Sequence, residues 1–311
     1  MSAGGLAPLT MDTAERRTPL YLPYMLLILT SLFWSGNGIA GRLATAGGID
    51  PLGLTFWRWA GALLFLIPFA LPHLIAERTL VFRHWRVLTA FGALAVSAFT
   101  PIFYYALSLS TAINVTLVAA TIPAVIVGLS WLLFRETVSW RALVGMVVAF
   151  AGVIAIMGRG DIGVLSRLEF NLGDIIALGA VLTWALYSVL LRYRPRDLHP
   201  MSFLIGLVIP GVVLNFAILL IAPARVAFTP TWSNLAVVAY VALFPSVIAY
   251  FFFNAGVKAI GANRAGQFSY LVPLFAAVLA VVILGESFER HHLVGMVVIF
   301  IGLYLASRRR A

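Results

Sequence analysis

Charge is scarce in this chain. Only 10% of its 311 residues are Asp, Glu, Lys or Arg, while 62% are hydrophobic. A soluble domain carries about 25% charged residues, so this chain cannot cover its own surface with polar groups, and lipid must cover the rest. Cysteine is absent, which excludes disulfides, thiol catalysis and thiolate metal sites. All 11 acidic residues and all 5 histidines (His73, His84, His199, His291, His292) fall in tails, loops or at the ends of apolar runs. No carboxylate or imidazole is thus expected at membrane depth as a proton carrier. Nor is there an HExxH, a G-x-S-x-G or a deep Asp pair. An intramembrane hydrolase would lack its nucleophile and base, so the chain reads as a non-enzyme without cofactor or metal.

What is abundant is long apolar sequence. A bilayer core of about 30 Å takes roughly 20 apolar residues per helix. Runs of that length lie near 23–44, 51–72, 87–109, 112–134, 140–157, 174–193, 201–222, 232–257, 262–285 and 290–307. The weakest boundary is Ser110-Thr111, between the third and fourth runs. Losing it would give nine spans and put the termini on opposite sides. Charge decides for ten. With both termini cytoplasmic, 15 of the 21 Lys and Arg face the cytoplasm, 5 face outward, and Arg58 is left inside the membrane. That is the positive-inside pattern. The net charge of +10 is therefore a topology signal scattered over loops and tails, not a nucleic-acid face. Residues 1–20 are polar and mixed, with no A-x-A-like cleavage site before the first run, and are expected to form a cytoplasmic tail. The protein is placed in a bacterial inner membrane as a multi-pass chain.

The sequence also repeats itself. At an offset of 150, Leu143-Val144-Gly145-Met146-Val147-Val148 returns as Leu293-Val294-Gly295-Met296-Val297-Val298. Phe150 and Phe300, Gly152 and Gly302, Glu136 and Glu286, Pro123 and Pro273, Trp34 and Trp184, and Arg42 and Arg192 fall in the same register. One gap is needed, where Asp50-Pro51 faces His199-Pro200 at an offset of 149. Apolar composition alone does not keep Trp, Pro, Glu and Arg in step. The expected division is a tail over 1–20, a first repeat over 21–158, an extracytoplasmic linker over 159–173, a second repeat over 174–307 and a basic cytoplasmic tail over 308–311. Five spans per half is an odd number, so the second half enters the membrane inverted. The fold class is an all-α integral membrane protein of ten transmembrane helices in two inverted five-helix repeats. Such halves give two similar end states, with a solute site near the midplane between them.

Neutral polar and aromatic residues populate the interior. Trp34, Asn37, Arg58, Tyr104, Tyr105, Trp184, Tyr187, Tyr250, Asn254, Gln267 and Tyr270 are the candidate substrate-cavity residues, because rings and amides bind organic solutes by stacking and hydrogen bonding. Thr100, Tyr240, Ser246 and Ser269 share the same depth. A competing account stands beside each: Trp and Tyr form interfacial belts, as expected for Trp140 and Trp232, while Ser, Thr and Asn join helices. Arg58 also has two readings. It meets a substrate carboxylate or lines a wet cavity, or it snorkels from between Trp57 and Trp59 to the outer headgroups. Pro101, Pro123, Pro210, Pro245 and Pro273 lie within runs. The matched pair Pro123 and Pro273 are the hinge candidates, with a fixed kink as the alternative. Without buried carboxylates, the simplest mechanism is uncoupled, facilitated transport.

Ser269-Tyr270-Leu271-Val272-Pro273, Gly285-Glu286, Leu293-Val294-Gly295 and Gly302 resemble the closing part of an EamA-type repeat. Trp34-Ser35-Gly36-Asn37 with Arg42, and Trp184-Ala185 with Tyr187 and Arg192, resemble the two repeat openings. The first half departs from the pattern, with Phe134-Arg135-Glu136 where the second has Gly285-Glu286. The chain from about 23 to 307 thus resembles the drug/metabolite transporter superfamily, and within it the bacterial amino-acid and metabolite exporters, including the YddG-type aromatic amino-acid exporters. The resemblance implies ten helices in two inverted halves and efflux of amino acids or related metabolites through a central cavity. The partners implied are a small-molecule substrate and membrane lipid, with no nucleic acid; a monomer suffices, and the oligomeric state is open. Two alternatives stay open. A nucleotide-sugar or sugar-phosphate antiporter would want several deep Lys or Arg for phosphate, against one Arg58. A lipid-flipping or scaffold protein would want a polar groove open to lipid.

Overall fold

The computed structural model describes residues 21–158, 161, 163, 171–221, 226–284 and 289–307. The N-terminal tail, most of the 159–173 linker, Gly285-Glu286 and the basic C-terminal tail lie outside them. Among the described residues every regular element is helical. The helices track the apolar runs: α1 (Leu22–Ala46), α2 (Pro51–Ala76), α3 (Trp85–Leu109), α4 (Ala112–Ala119 and Ile122–Phe134) and α5 (Trp140–Met157). Then come α6 (Leu172–Leu190), α7 (Pro200–Ile221), α8 (Trp232–Ile260), α9 (Ala262–Gln267 and Leu271–Leu284) and α10 (Arg290–Ser307). A short helix, Arg78–Arg83, joins α2 to α3.

Among the described residues, eight helices, α1 to α8, are long and apolar enough to cross a membrane. The apolar stretch of α10, Arg290–Ala306, is shorter. A 3-10 turn, Phe268–Tyr270, breaks α9 near its start. Leu64, Phe69, Val147, Leu220 and Ile221 are exposed, an apolar surface that only lipid tolerates.

Helix starts follow the polar punctuation. Asp50 accepts from the backbone N–H groups of Leu52 and Gly53 and starts α2, with Pro51 in the first turn, where its missing donor costs nothing. Asn171 and Asp174 form a reciprocal capping box on α6. The thin boundary at Ser110-Thr111 is a true helix break. Ser110 is extended, and the Thr111 hydroxyl accepts from Asn114 N–H at 3.1 Å to start α4.

The repeat is visible as an exchange of partners. The first helix of each half packs on the third and fourth helices of the other: α1 on α8 and α9, α6 on α3 and α4. Repeat-matched helices also pack on each other, α2 on α7 and α5 on α10. The α5–α10 seam is backbone-close. A Cβ on Gly145 would lie 2.5 Å from the carbonyl of Gly302, and one on Gly152 would lie 2.8 Å from that of Gly295. Numbering rises along one helix as it falls along the other, so the two run antiparallel. Since Gly145 matches Gly295 and Gly152 matches Gly302, these contacts are reciprocal about a local two-fold relation. Small residues let helices approach this closely when lipid, not water, surrounds them.

Two further features recur at the 150-residue offset. Wide π-helical turns occupy Ala93–Ala98 in α3 and Leu243–Ile248 in α8. The fourth helix of each half breaks immediately before its matched proline, at Ala120-Thr121 before Pro123 and at Phe268–Tyr270 before Pro273.

Gly145→Leu drives a side chain into the Gly302 backbone and is expected to cost at least about 1–3 kcal/mol. Thermal unfolding of the purified protein in detergent should show a clear drop in Tm. The exposed control Val147→Leu should leave Tm unchanged. Equal melting of the two variants would contradict the seam.

Candidate substrate cavity

Two cavities enter the helix bundle from opposite faces. The larger, about 1040 Å³, is lined by Arg192, Arg194, Arg196, Lys258 and Arg264, with Glu136 as its acidic residue among those described. Its inner wall includes Ser188, Asn254 and Gln267. Glu136 sits at the mouth, paired with Arg192 at 2.9 Å and accepting from Asn263 at 3.2 Å. Burial pulls Arg194, beyond the end of α6, below the ordinary guanidinium range.

The smaller cavity, about 340 Å³, reaches Met157, His291 and His292 at the opposite face. Trp34, Asn37, Arg58, Phe99, Thr100, Phe103, Trp184, Tyr250 and Pro273 line it. Trp184 and Ser188 are four residues apart on α6, as are Tyr250 and Asn254 on α8. The floor of the small cavity and the inner wall of the large one are therefore separated by roughly 6 Å of helix axis. That layer is aromatic. The Trp34 ring meets Trp184 edge-on at 5.0 Å, and Phe253 packs on both at 5.3 and 5.1 Å. Tyr250 closes on Trp184 at 5.4 Å and on Trp59 at 5.1 Å. Edge-to-face packing of this kind gains about 0.5–1.5 kcal/mol per pair beyond area burial. Trp34 and Trp184 are repeat partners, so their mutual contact puts them on the local two-fold relation.

Arg58 turns inward and is only 2% exposed. That removes the snorkelling account. Its Nε donates to Ser246 Oγ at 2.6 Å, and its Nη1 donates to Tyr104 OH at 3.1 Å and Asn37 Oδ1 at 3.3 Å. Tyr104 OH donates on to Asn37 Oδ1 at 3.3 Å. Ser246 spends its proton on the Val241 carbonyl at 2.7 Å, leaving a lone pair for the guanidinium. The rings of Trp59 and Tyr104 lie 5.4 and 5.9 Å from the guanidinium carbon, within reach of cation–π attraction. Among the described residues no carboxylate pairs with Arg58; the ion pairs are His84–Asp197, Arg192–Glu136 and His291–Glu289.

The second half has a counterpart to the Asn37–Tyr104 bond. Tyr187 OH donates to Asn254 Oδ1 at 2.7 Å. Asn37 matches Tyr187 and Tyr104 matches Asn254, so the same two positions are bonded in both halves with donor and acceptor exchanged. The wide turns match as well. The Ala95 carbonyl accepts from Tyr250 OH at 3.0 Å, and its repeat partner, the Pro245 carbonyl, accepts from Trp34 Nε1 at 3.1 Å. Each carbonyl is thus capped by an aromatic side chain of the other half.

The candidates fall into groups. Trp34, Asn37, Arg58, Trp184 and Tyr250 line the small cavity; Asn254 and Gln267 line the large one. Tyr104 and Tyr187 are buried and bonded to lining residues. Tyr270 is buried in a core cluster with Ala120, Val127 and Leu274. Tyr105 faces outward, 50% exposed, and lines neither cavity, because it sits about 100° around the helix from Tyr104. Three features were not anticipated. His291 and His292 line the small cavity. Ser246 is the closest partner of Arg58. Asp174, placed at a helix end by sequence, is 1% exposed there. It accepts from Ser110 Oγ at 2.5 Å, Asn114 Nδ2 at 3.0 Å and Asn171 N–H at 2.9 Å, which fits an ionised carboxylate that caps a helix.

Comparison with known proteins agrees with this architecture. The model of the EamA-like transporter family matches residues 22–158 and 171–308, one match per half. The chain is 24% identical over 291 residues to the uncharacterized transporter YyaM of Bacillus subtilis, covering 91% of this chain and 93% of that one. It is 28% identical over 294 residues to an uncharacterized transporter of Archaeoglobus fulgidus, covering 92% and 98%. A WAT1-related protein of Arabidopsis thaliana matches at 25% over 314 residues, covering 91% and 84%. One solved structure has the same fold, with a TM-score of 0.74 at 20% identity, covering 92% of this chain and 96% of that one.

Tyr187→Phe removes the donor to a buried Asn254 oxygen and is expected to cost about 1–3 kcal/mol, read as lost thermal stability in detergent. Adding Asn254→Leu removes the orphaned acceptor and should recover part of that loss. A Tyr187→Phe variant as stable as the parent would show that the bond carries no net stability.

Proposed function

The chain belongs to the EamA-like transporter family, and from that premise we propose that it exports amino acids, aromatic ones included, and related small metabolites by alternating access. The observation that carries the reading is the aromatic layer between two cavities that open at opposite faces. A barrier one helical turn thick, centred on the repeat-matched pair Trp34 and Trp184, can be formed from either side by rocking one half against the other. In this reading all ten helical segments cross the membrane, α9 and α10 included, as two inverted fives.

The larger cavity faces the cytoplasm, because its mouth gathers Arg192, Arg194, Arg196, Lys258 and Arg264 and basic residues mark the cytoplasmic side. Both termini then lie in the cytoplasm and the membrane is a bacterial inner membrane. The candidate cavity residues act as a solute pathway, and the breaks before Pro123 and Pro273 are the hinges. Transport is uncoupled. Among the described residues, Glu136 is held by Arg192 at the mouth and Asp174 is committed to its helix cap, so neither is free to ferry protons. A single deep Arg argues against a nucleotide-sugar or sugar-phosphate substrate.

Counterflow in proteoliposomes with the full set of amino acids, with and without a pH gradient, tests this directly. Aromatic amino acids should exchange, and the rate should not follow the pH gradient. The double variant Trp34→Ala with Trp184→Ala should lose that exchange while remaining monodisperse and inserted. Proton movement in step with solute would overturn the uncoupled mechanism. Unchanged exchange in the double variant would overturn the role given to the aromatic layer.

A further inference from the structure

Resting on the transport reading, we propose that the small cavity recognises its solute by a carboxylate held at Arg58 and provides no station for an α-ammonium. Its preferred chemical class is therefore an apolar-bodied monocarboxylate.

The argument starts from the charge. A guanidinium stays protonated in a protein, so Arg58 cannot neutralise itself. Taking such an ion out of water costs several kcal/mol even after relaxation. Its partners, Ser246, Tyr104 and Asn37, are all neutral. They stabilise the cation's hydrogens but supply no opposite charge. They also engage only Nε and Nη1. A guanidinium has five N–H donors, and three bonds are made, so the Nη2 pair is uncommitted among the described residues. A carboxylate is the planar anion whose two oxygens match a guanidinium edge.

The rest of the cavity fixes the body and the missing station. Phe99, Phe103, Leu107 and Ile122 offer apolar and ring surface, and the volume of about 340 Å³ suits a small organic acid. Among the described residues, no Asp or Glu lines the cavity. The Asn37 oxygen, one of the three acceptors of Arg58, already takes bonds from Arg58 and Tyr104. Across the aromatic layer, the basic mouth of the large cavity concentrates anions, because clefts lined by one sign of charge enrich the opposite ion. The uncommitted edge of Arg58 and the net positive charge of the basic mouth, where Arg192, Arg194, Arg196, Lys258 and Arg264 outnumber Glu136, thus favour net negative solutes over zwitterions, and zwitterions over amines.

A matched trio separates these classes: 3-phenylpropanoate, phenylalanine and phenethylamine. Binding is read first by intrinsic tryptophan fluorescence and thermal shift in detergent, then flux by counterflow in proteoliposomes, both at pH 7. The unmodified protein should bind 3-phenylpropanoate at least as tightly as phenylalanine, and phenethylamine at least tenfold more weakly. Arg58→Gln should erase that order, and Arg58→Lys should restore it in part. Since the trio is measured on the unmodified protein, the result does not hang on whether Arg58→Gln folds. Equal binding of amine and acid, phenylalanine tenfold tighter than 3-phenylpropanoate, or no binding of any of the three would overturn the proposal. Acid-selective binding without flux would instead overturn the transport reading and leave the carboxylate site standing.

Discussion

A carbonyl freed inside a lipid-embedded bundle has no water to turn to, and leaving it unpaired costs several kcal/mol. The wide turns in α3 and α8 meet this constraint at matched places, Ala95 and Pro245. The partners are the hydroxyl of Tyr250 and the indole N–H of Trp34, each reaching in from the opposite half. Once Trp34 and Tyr250 are pinned at their polar ends, their rings are positioned to stack on Trp184, Phe253 and Trp59. The aromatic layer between the cavities is thus a consequence of backbone accounting in two helices. The irregular backbone of both turns is buried in protein, where such backbone is tolerated at membrane depth.

Much of this was legible in the sequence. Apolar run lengths marked the helices, Ser110-Thr111 marked a helix boundary, and the 150-residue offset paired the halves. The contact between Trp34 and Trp184 follows from that offset once the halves are placed face to face. Other features had no local signal. The segments Ala93–Ala98 and Leu243–Ile248 share a wide turn, yet only the second contains a proline. Adjacent Tyr104 and Tyr105 are equivalent by composition, and only packing decides that one bonds to Arg58 while the other faces outward. Loop position concealed the burial of Asp174, because the Ser110, Asn114 and Asn171 donors that enclose it come from separate parts of the chain.

The two buried ionised groups illustrate different solutions to one problem. Asp174 gathers three hydrogen-bond donors at the positive end of a helix and is satisfied within the protein. Arg58 gathers neutral acceptors and ring faces and is left with donors to spare. The first arrangement closes a structural joint. The second leaves one edge of a guanidinium uncommitted beside a cavity, the feature on which the proposed carboxylate site rests.

At the 149-residue offset that holds in this part of the chain, the partner of Arg58 is Leu207, a fully buried aliphatic residue. The halves are therefore alike in shape but not in electrostatics. Any rearrangement that exchanges their roles carries an unmatched cation through part of the membrane field, and a full crossing of 100 mV amounts to about 2.3 kcal/mol per charge. In the proposed cycle a bound carboxylate cancels that charge, so the loaded site moves as a neutral pair. On that proposal the voltage dependence belongs to the empty site: membrane potential governs the return journey, not the outward one.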